Sequence, residues 1–151
     1  MEILAKLYRS LDLTVFEDGY GGITSCNYRY AYFLFMDEVC YSFYSIEGYN
    51  VFGKSNQEAF KKTASFDDRK TIENLAIMLD KGKQTSFVQI NENIIKFIFT
   101  IQIANFEGEI IDENRIYEGS FSDYGTSLEV NSWNENSPKE IINKKYALLN
   151  I

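Results

Sequence analysis

The sequence predicts an α+β fold: a single domain spanning residues 1–151, with an antiparallel β-sheet of several strands and helices packed on one face. Three observations predict it. Aromatic residues make up 16% of the 151 positions, and flat or branched side chains pack well on a pleated surface. Strand-like runs bounded by Gly, Asn or acidic turns recur before residue 54 and again from residue 86 to 133. Two segments, 67–81 and 137–149, carry helix signals instead. With strands and helices segregated in this way, helices cover a sheet rather than alternate with its strands. A chain of this length hides roughly 70% of its unfolded surface, enough for a substantial core.

The elements follow in order. Leu11, Leu13 and Val15 alternate with Asp12, Thr14 and Phe16, which marks a strand, and Gly19-Tyr20-Gly21-Gly22 supplies a turn. Cys26–Met36 and Val39–Ile46 form a hairpin whose turn is Asp37-Glu38, and Gly48 and Gly53 punctuate its end. Ser55–Lys62 is read as a short helix with Ala59 and Phe60 inward. In Asp67–Lys81 the residues Ile72, Leu75, Ala76 and Leu79 fall at i, i+3, i+4 and i+7, capped by Ser65 or Asp67. Gly82 provides the stop as a left-handed residue. Ser86–Ile90, the polar turn Asn91-Glu92-Asn93 and Ile94–Ala104 return to strand. In the last of these Phe97, Phe99, Ile101 and Ile103 share one face, and Lys96, Ile98, Thr100 and Gln102 the other. Glu109–Tyr117 and Thr126–Trp133 continue the sheet through a connection at Gly119–Gly125. Ser137-Pro138-Lys139-Glu140 has the form of a capping box with proline at the first helical position, so the C-terminus is read as a helix docking through Ile141, Ile142, Tyr146 and Leu149. Trp133 is expected beneath that helix.

Composition narrows the function classes. Histidine is absent, which removes His-dependent triads and His-containing zinc sites. No uncharged apolar run reaches the roughly 18 residues of a membrane helix, and Met1–Leu13 contains Glu2, Lys6, Arg9 and Asp12 rather than an apolar signal core. The expectation is a cytoplasmic protein without membrane contact. A bridge between neighbouring strands is geometrically open to Cys26 and Cys40, but without a secretory signal both are read as buried reduced thiols.

Local motifs favour plain structural roles. Glu17-Asp18-Gly19-Tyr20-Gly21-Gly22 lacks the pattern of a phosphate loop. Counted from Asp112, a calcium loop would need Gly at its sixth position and Glu at its twelfth, where Tyr117 and Asp123 stand. No metal or cofactor is therefore expected. The tyrosines Tyr28, Tyr30, Tyr32, Tyr41, Tyr44 and Tyr49 could stack bases, but only Arg29 and Lys54 lie nearby to meet phosphate, so sheet packing is preferred and nucleic acid is not expected as a partner.

Charge supplies the sharpest functional signal. Formal net charge is −7, and residues 105–136 account for all of it, with eight acids against Arg115; the rest of the chain balances. Acid gathered on one surface attracts a basic partner and speeds its association.

The order Leu79-Asp80-Lys81-Gly82, Ser86-Phe87-Val88, Ile95-Lys96-Phe97-Ile98-Phe99-Thr100, an acidic hairpin, Leu128-Glu129-Val130-Asn131-Ser132-Trp133 and a terminal helix resembles the immunity proteins of contact-dependent growth inhibition and related polymorphic toxin systems. The resemblance runs from about Thr71 to Tyr146, half of the chain, with no counterpart in the first 65 residues. Where the family has Ser-Glu-Trp before its last helix, this chain has Asn131-Ser132-Trp133. The resemblance implies a bacterial cytoplasmic antitoxin, not an enzyme, that blocks a cognate toxin domain, often a nuclease, as a monomer or weak homodimer. The expected partner-binding residues are Glu107, Glu109, Asp112, Glu113, Glu118 and Asp123, with Tyr117 and Tyr124 as anchors. The competing readings are a self-associating structural or adaptor protein and a small hydrolase working through paired carboxylates.

Overall fold

The computed structural model describes residues 5–20, 23–46, 49–52, 64–104 and 106–150. Its centre is a closed antiparallel barrel of eight strands: β1 (Lys6–Ser10), β4 (Ala31–Met36), β5 (Val39–Tyr44), β7 (Lys83–Gln89), β8 (Ile94–Ala104), β9 (Ile110–Ser122), β10 (Ser127–Asn134) and β11 (Ser137–Leu149). Around the wall the order is β1-β11-β10-β9-β8-β7-β5-β4. A separate three-stranded sheet is made by β2 (Thr14–Tyr20), β3 (Ile23–Arg29) and β6 (Tyr49–Phe52), with β3 central. Two short α-helices, α1 (Ala64–Glu73) and α2 (Leu75–Lys81), and a single 3-10 turn at Asp123–Gly125 complete the described elements. No helix among them is long and apolar enough to cross a membrane.

This architecture overturns the expected α+β fold with helices on one face of a sheet. The decisive element is the C-terminal segment, which is strand β11 and not a helix. Tyr146–Leu149 pair with β1 in the register Leu7↔Leu149 to Ser10↔Tyr146, and the other edge pairs with β10 from Ser127↔Ala147 to Ser132↔Ile142. This one strand closes the cylinder. A capping box contributes about 0.5–2 kcal/mol, less than two hydrogen-bond ladders and the burial they bring. Pro138 is tolerated because it lies where the β10–β11 register shifts and beyond the reach of β1. Without a terminal helix Trp133 is not covered by one; it lies half-buried opposite Ile116.

Period-two alternation sorts the wall residues. Facing inward, Tyr8, Phe33, Phe35, Cys40, Ile95, Phe97, Phe99, Leu128, Val130 and Tyr146 form the interior core. Phe33 meets Phe97 edge-on at 5.3 Å and Tyr146 at 4.9 Å. An eight-stranded barrel is just wide enough for side chains to fill, and rings this large require a small residue in the wall. Gly119 is that residue: a Cβ there would stand 3.0 Å from Leu128 Cδ1 and 3.2 Å from Ile95 Cγ1. Cys40 is a buried free thiol, and burial pushes its pKa up.

A second core lies outside the wall, where Ile72, Leu75, Met78 and Leu79 of the helices cover Leu7, Tyr32, Leu34 and Phe43. Asp68 of α1 fastens this layer, accepting from Arg9 Nη1 at 2.6 Å and from the Tyr32 hydroxyl at 2.6 Å. The single helix expected over 67–81 is broken at Asn74, whose side-chain amide and backbone N–H both donate to the Lys70 carbonyl. Ala76, expected in the buried stripe, is exposed. Gly82 is not left-handed. Its backbone is extended, at φ −78° and ψ 169°. Glycine is needed there because a Cβ would come within 2.8 Å of the Ser42 carbonyl and 3.0 Å of that of Met78. The Cys26–Met36 run is interrupted at Tyr30, where the chain passes from β3 into β4. The expected helix at Ser55–Lys62 and residues Gly21, Gly22, Gly48 and Gly53 lie outside the described residues, as does the side chain of Cys26.

Candidate functional site: an acidic, aromatic-floored barrel mouth

Up-and-down strands send their hairpin turns alternately to the two ends of the barrel. The β4–β5 turn (Asp37-Glu38), the β7–β8 turn (Asn91–Asn93) and the β9–β10 turn (Asp123–Gly125) fall at one end, beside the start of β1 at Lys6. Together they surround an open cavity of about 810 Å³, within the range of natural ligand sites.

Among the described residues, four carboxylates, from Asp37, Glu38, Glu92 and Asp123, stand at this mouth against one ammonium, that of Lys6. All five residues are exposed. The floor is apolar, built from Phe35, Phe87, Ile95 and Phe121. The Phe35 ring stands nearly perpendicular to that of Phe87 (85°, 5.5 Å) and to that of Phe121 (76°, 6.1 Å). Ring edges are positive and ring faces negative, so these edge-to-face contacts fix the aromatic floor.

The rim is pre-organised by bonds between neighbouring turns and strands. Phe87 N–H donates to the Glu38 carbonyl at 3.2 Å, and Phe121 N–H to that of Asn93 at 2.7 Å. The Tyr8 hydroxyl donates to the Gly125 carbonyl at 2.7 Å, and burial raises its pKa to about 12. Asn91 Oδ1 accepts from the N–H groups of Asn93 and Ile94, which closes the β7–β8 turn. The four non-glycine residues with positive φ among the described residues all belong to this rim: Asp37 (54°), Glu38 (64°), Asp123 (52°) and Tyr124 (58°). L-residues resist that conformation, and Tyr124 is held in it with its side chain fully in solvent.

The expected partner-binding residues divide between places. Asp123 and Tyr124 are at this mouth. Glu107 and Glu109 belong to the exposed β8–β9 connection at the other end, separated by the 13 residues of β9, a span of about 40 Å at 3.4 Å per residue. Asp112 and Glu118 lie exposed on the outer wall, with Glu118 opposite Lys96. Glu113 is half-buried and accepts from Asn134 Nδ2. Tyr117 is inside the barrel, stacked on Phe97 at 5.1 Å and 3°. The structure therefore does not bring the eight residues together. Sequence reasoning missed the site value of Asp37, Glu38, Glu92 and the three Phe residues. Both acidic turns were legible as turns, but their convergence depends on strand parity around a closed barrel. Among the described residues no group of three or more Cys, Asp and Glu side chains is placed to hold a metal ion.

Comparison with protein-family models, curated proteins and solved structures finds no match to this chain.

Proposed function

We propose that this protein is a non-catalytic binding protein of immunity type, whose acidic barrel mouth receives a cationic group presented by a basic partner. The observation that carries the reading is the 810 Å³ cavity that combines a carboxylate rim with a floor of angled Phe rings. A Lys or Arg side chain entering it would meet carboxylates at the rim, with its methylene stem against Phe35, Phe87 and Phe121. Unlike the dispersed acids of β9, this group is concentrated on one end of the molecule. The immunity reading adds that the partner is a toxin domain.

The test is a pull-down of the protein encoded beside this gene, in two charge-reversed variants. One carries Asp37→Lys, Glu92→Lys and Asp123→Lys; the other carries Glu109→Lys, Asp112→Lys and Glu113→Lys. The mouth variant should lose binding and its salt dependence, while the hairpin variant retains both. Loss in the hairpin variant alone moves the interface to the other end and overturns the assignment to the mouth. Retention in both removes charge from the recognition.

A further inference from the structure

A second cavity, toward the opposite end of the barrel, is lined by the reverse charge. The β7–β8 ladder is paired from Phe87↔Phe97 to Gln89↔Ile95, yet β7 begins at Lys83 and β8 runs on to Ala104. The two strands part there, and this cavity of about 350 Å³ opens between β5, the end of α2, the start of β7 and the β8–β9 pair. Among the described residues Arg29, Lys81 and Lys83 line it, and no carboxylate does. Tyr44, Phe99 and Tyr117 supply an aromatic wall.

More cations stand behind that wall. Arg115 is the cross-strand neighbour of Phe99 and shares the inward face of β9 with Tyr117. Its Nε donates to Ser132 Oγ at 3.2 Å and its Nη2 to the Ser132 carbonyl at 3.4 Å. Lys144 Nζ donates to Thr14 Oγ1 at 3.0 Å, and Arg29 Nη1 to the Ser45 carbonyl at 2.8 Å. All three cations are half-buried and all three are met by neutral oxygens. Among the described residues, the ion pair within 4.0 Å is Arg9–Asp68, elsewhere on the wall. Glu113, on the same face of β9 as Arg115, is bonded to Asn134 instead. Burial holds the Lys144 pKa below the ordinary lysine value and the Arg115 charge lowers it further, with Asp12 opposing them. Half-buried like charges met by neutral oxygens gain from a nearby anion, because its charge offsets their mutual repulsion and the desolvation they bear.

We propose that this cation-lined cavity binds a small organic anion, with an oxyanion head on Arg29, Lys81 and Lys83 and an apolar or aromatic body against Tyr44, Phe99 and Tyr117. The site is separate from the acidic mouth and does not depend on the function assigned to it. Its volume lies at the small end of ligand cavities, which suits a compact aromatic body with a single phosphate, sulfonate or carboxylate.

The probe is 8-anilinonaphthalene-1-sulfonate, a sulfonate on an aromatic body, followed by fluorescence titration of the full chain. Its uncharged analogue N-phenyl-1-naphthylamine serves as control, and inorganic phosphate as competitor at matched ionic strength. Lys81 and Lys83 are exposed, so K81Q/K83Q leaves the fold intact. Charge-assisted bonds at partly exposed positions predict a Kd raised roughly tenfold in that variant. R115Q should weaken binding in the same direction, and phosphate should displace the dye from the parent protein. The site is overturned if K81Q/K83Q binds the dye as the parent does, if phosphate fails to compete, or if the uncharged analogue binds as tightly as the sulfonate.

Discussion

The turn at Asp37-Glu38 offers a direct test of the idea that the acidic mouth is maintained against local stability. Met36 pairs with Val39, so the loop has two residues, and both have positive φ. That is the type I′ geometry, for which Asn-Gly is the relaxed choice. Glu38 at φ 64° has no backbone reason to be glutamate. An L-residue in this region is disfavoured by about 1–2 kcal/mol, and glycine removes the clash while losing roughly 0.5–1 kcal/mol through its larger unfolded-state entropy. Glu38→Gly should therefore stabilise the protein by about 1 kcal/mol, raising Tm by about 2–4 °C for a chain of this size. Asp37→Asn should be close to neutral, since both residues tolerate the left-handed region. The assay is thermal unfolding by circular dichroism for the parent, each single variant and the double variant, paired with the partner pull-down. Rising Tm together with falling partner capture is the expected signature. A Tm that drops in Glu38→Gly would refute the strain argument, because removing one of the four carboxylates at this rim relieves like-charge repulsion and acts in the same direction.

Three further outcomes follow from the packing. Gly82→Ala should destabilise by about 2–3 kcal/mol, because the new methyl meets backbone oxygens of Ser42 and Met78 that have no rotamer to adopt; urea midpoints at constant slope would show it. Asp68→Asn should weaken the bonds to both Arg9 and Tyr32. At 15–20% side-chain exposure, about 2 kcal/mol is expected, below the fully buried range, and a double-mutant cycle with Arg9→Ala would recover the coupling. Alkaline pH should unfold the protein through its interior tyrosines. Burial raises the Tyr8 pKa from 10.0 to about 12, and it raises Tyr117 and Tyr146 as well. A raised phenol binds its proton longer in the folded state than in the unfolded one, so this stability is complete below pH 10 and declines as pH climbs toward 12. Urea unfolding at about pH 8 and about pH 11 should show the loss.

Strands β4, β5, β8 and β10 and the turns at Asp37-Glu38 and Asn91–Asn93 were legible because their signals are local. Ile94–Ala104 shows why: its alternation separates buried Phe97 and Phe99 from exposed Lys96, Ile98, Thr100 and Gln102, and no distant residue is needed to see it. Residues 137–149 failed for the opposite reason. A capping motif opens the segment, and its apolar residues suit a helical face. In the barrel Tyr146 and Leu148 pack on the interior core while Leu149 packs under the helices. A strand apolar on both sides carries no clean period of two, so only β1 and β10 reveal what it is. Gly82 was located correctly as a stop, but its role is close approach to β5, which no neighbouring residue records.

The candidate site divides in the same way. Net charge and its concentration in residues 105–136 are properties of the chain. Their placement is a property of the barrel. β9 carries Glu107 and Asp123 to opposite ends, while hairpin parity gathers Asp37, Glu38, Glu92 and Asp123, which are remote in sequence, around one mouth. Alternation and turn chemistry act over a few residues, so the sequence alone determined strand character, turn positions and total charge. Closure, the two cavities and the opposite charge of their linings arise from pairing between residues as remote as Leu7 and Leu149, and only the tertiary structure could decide them.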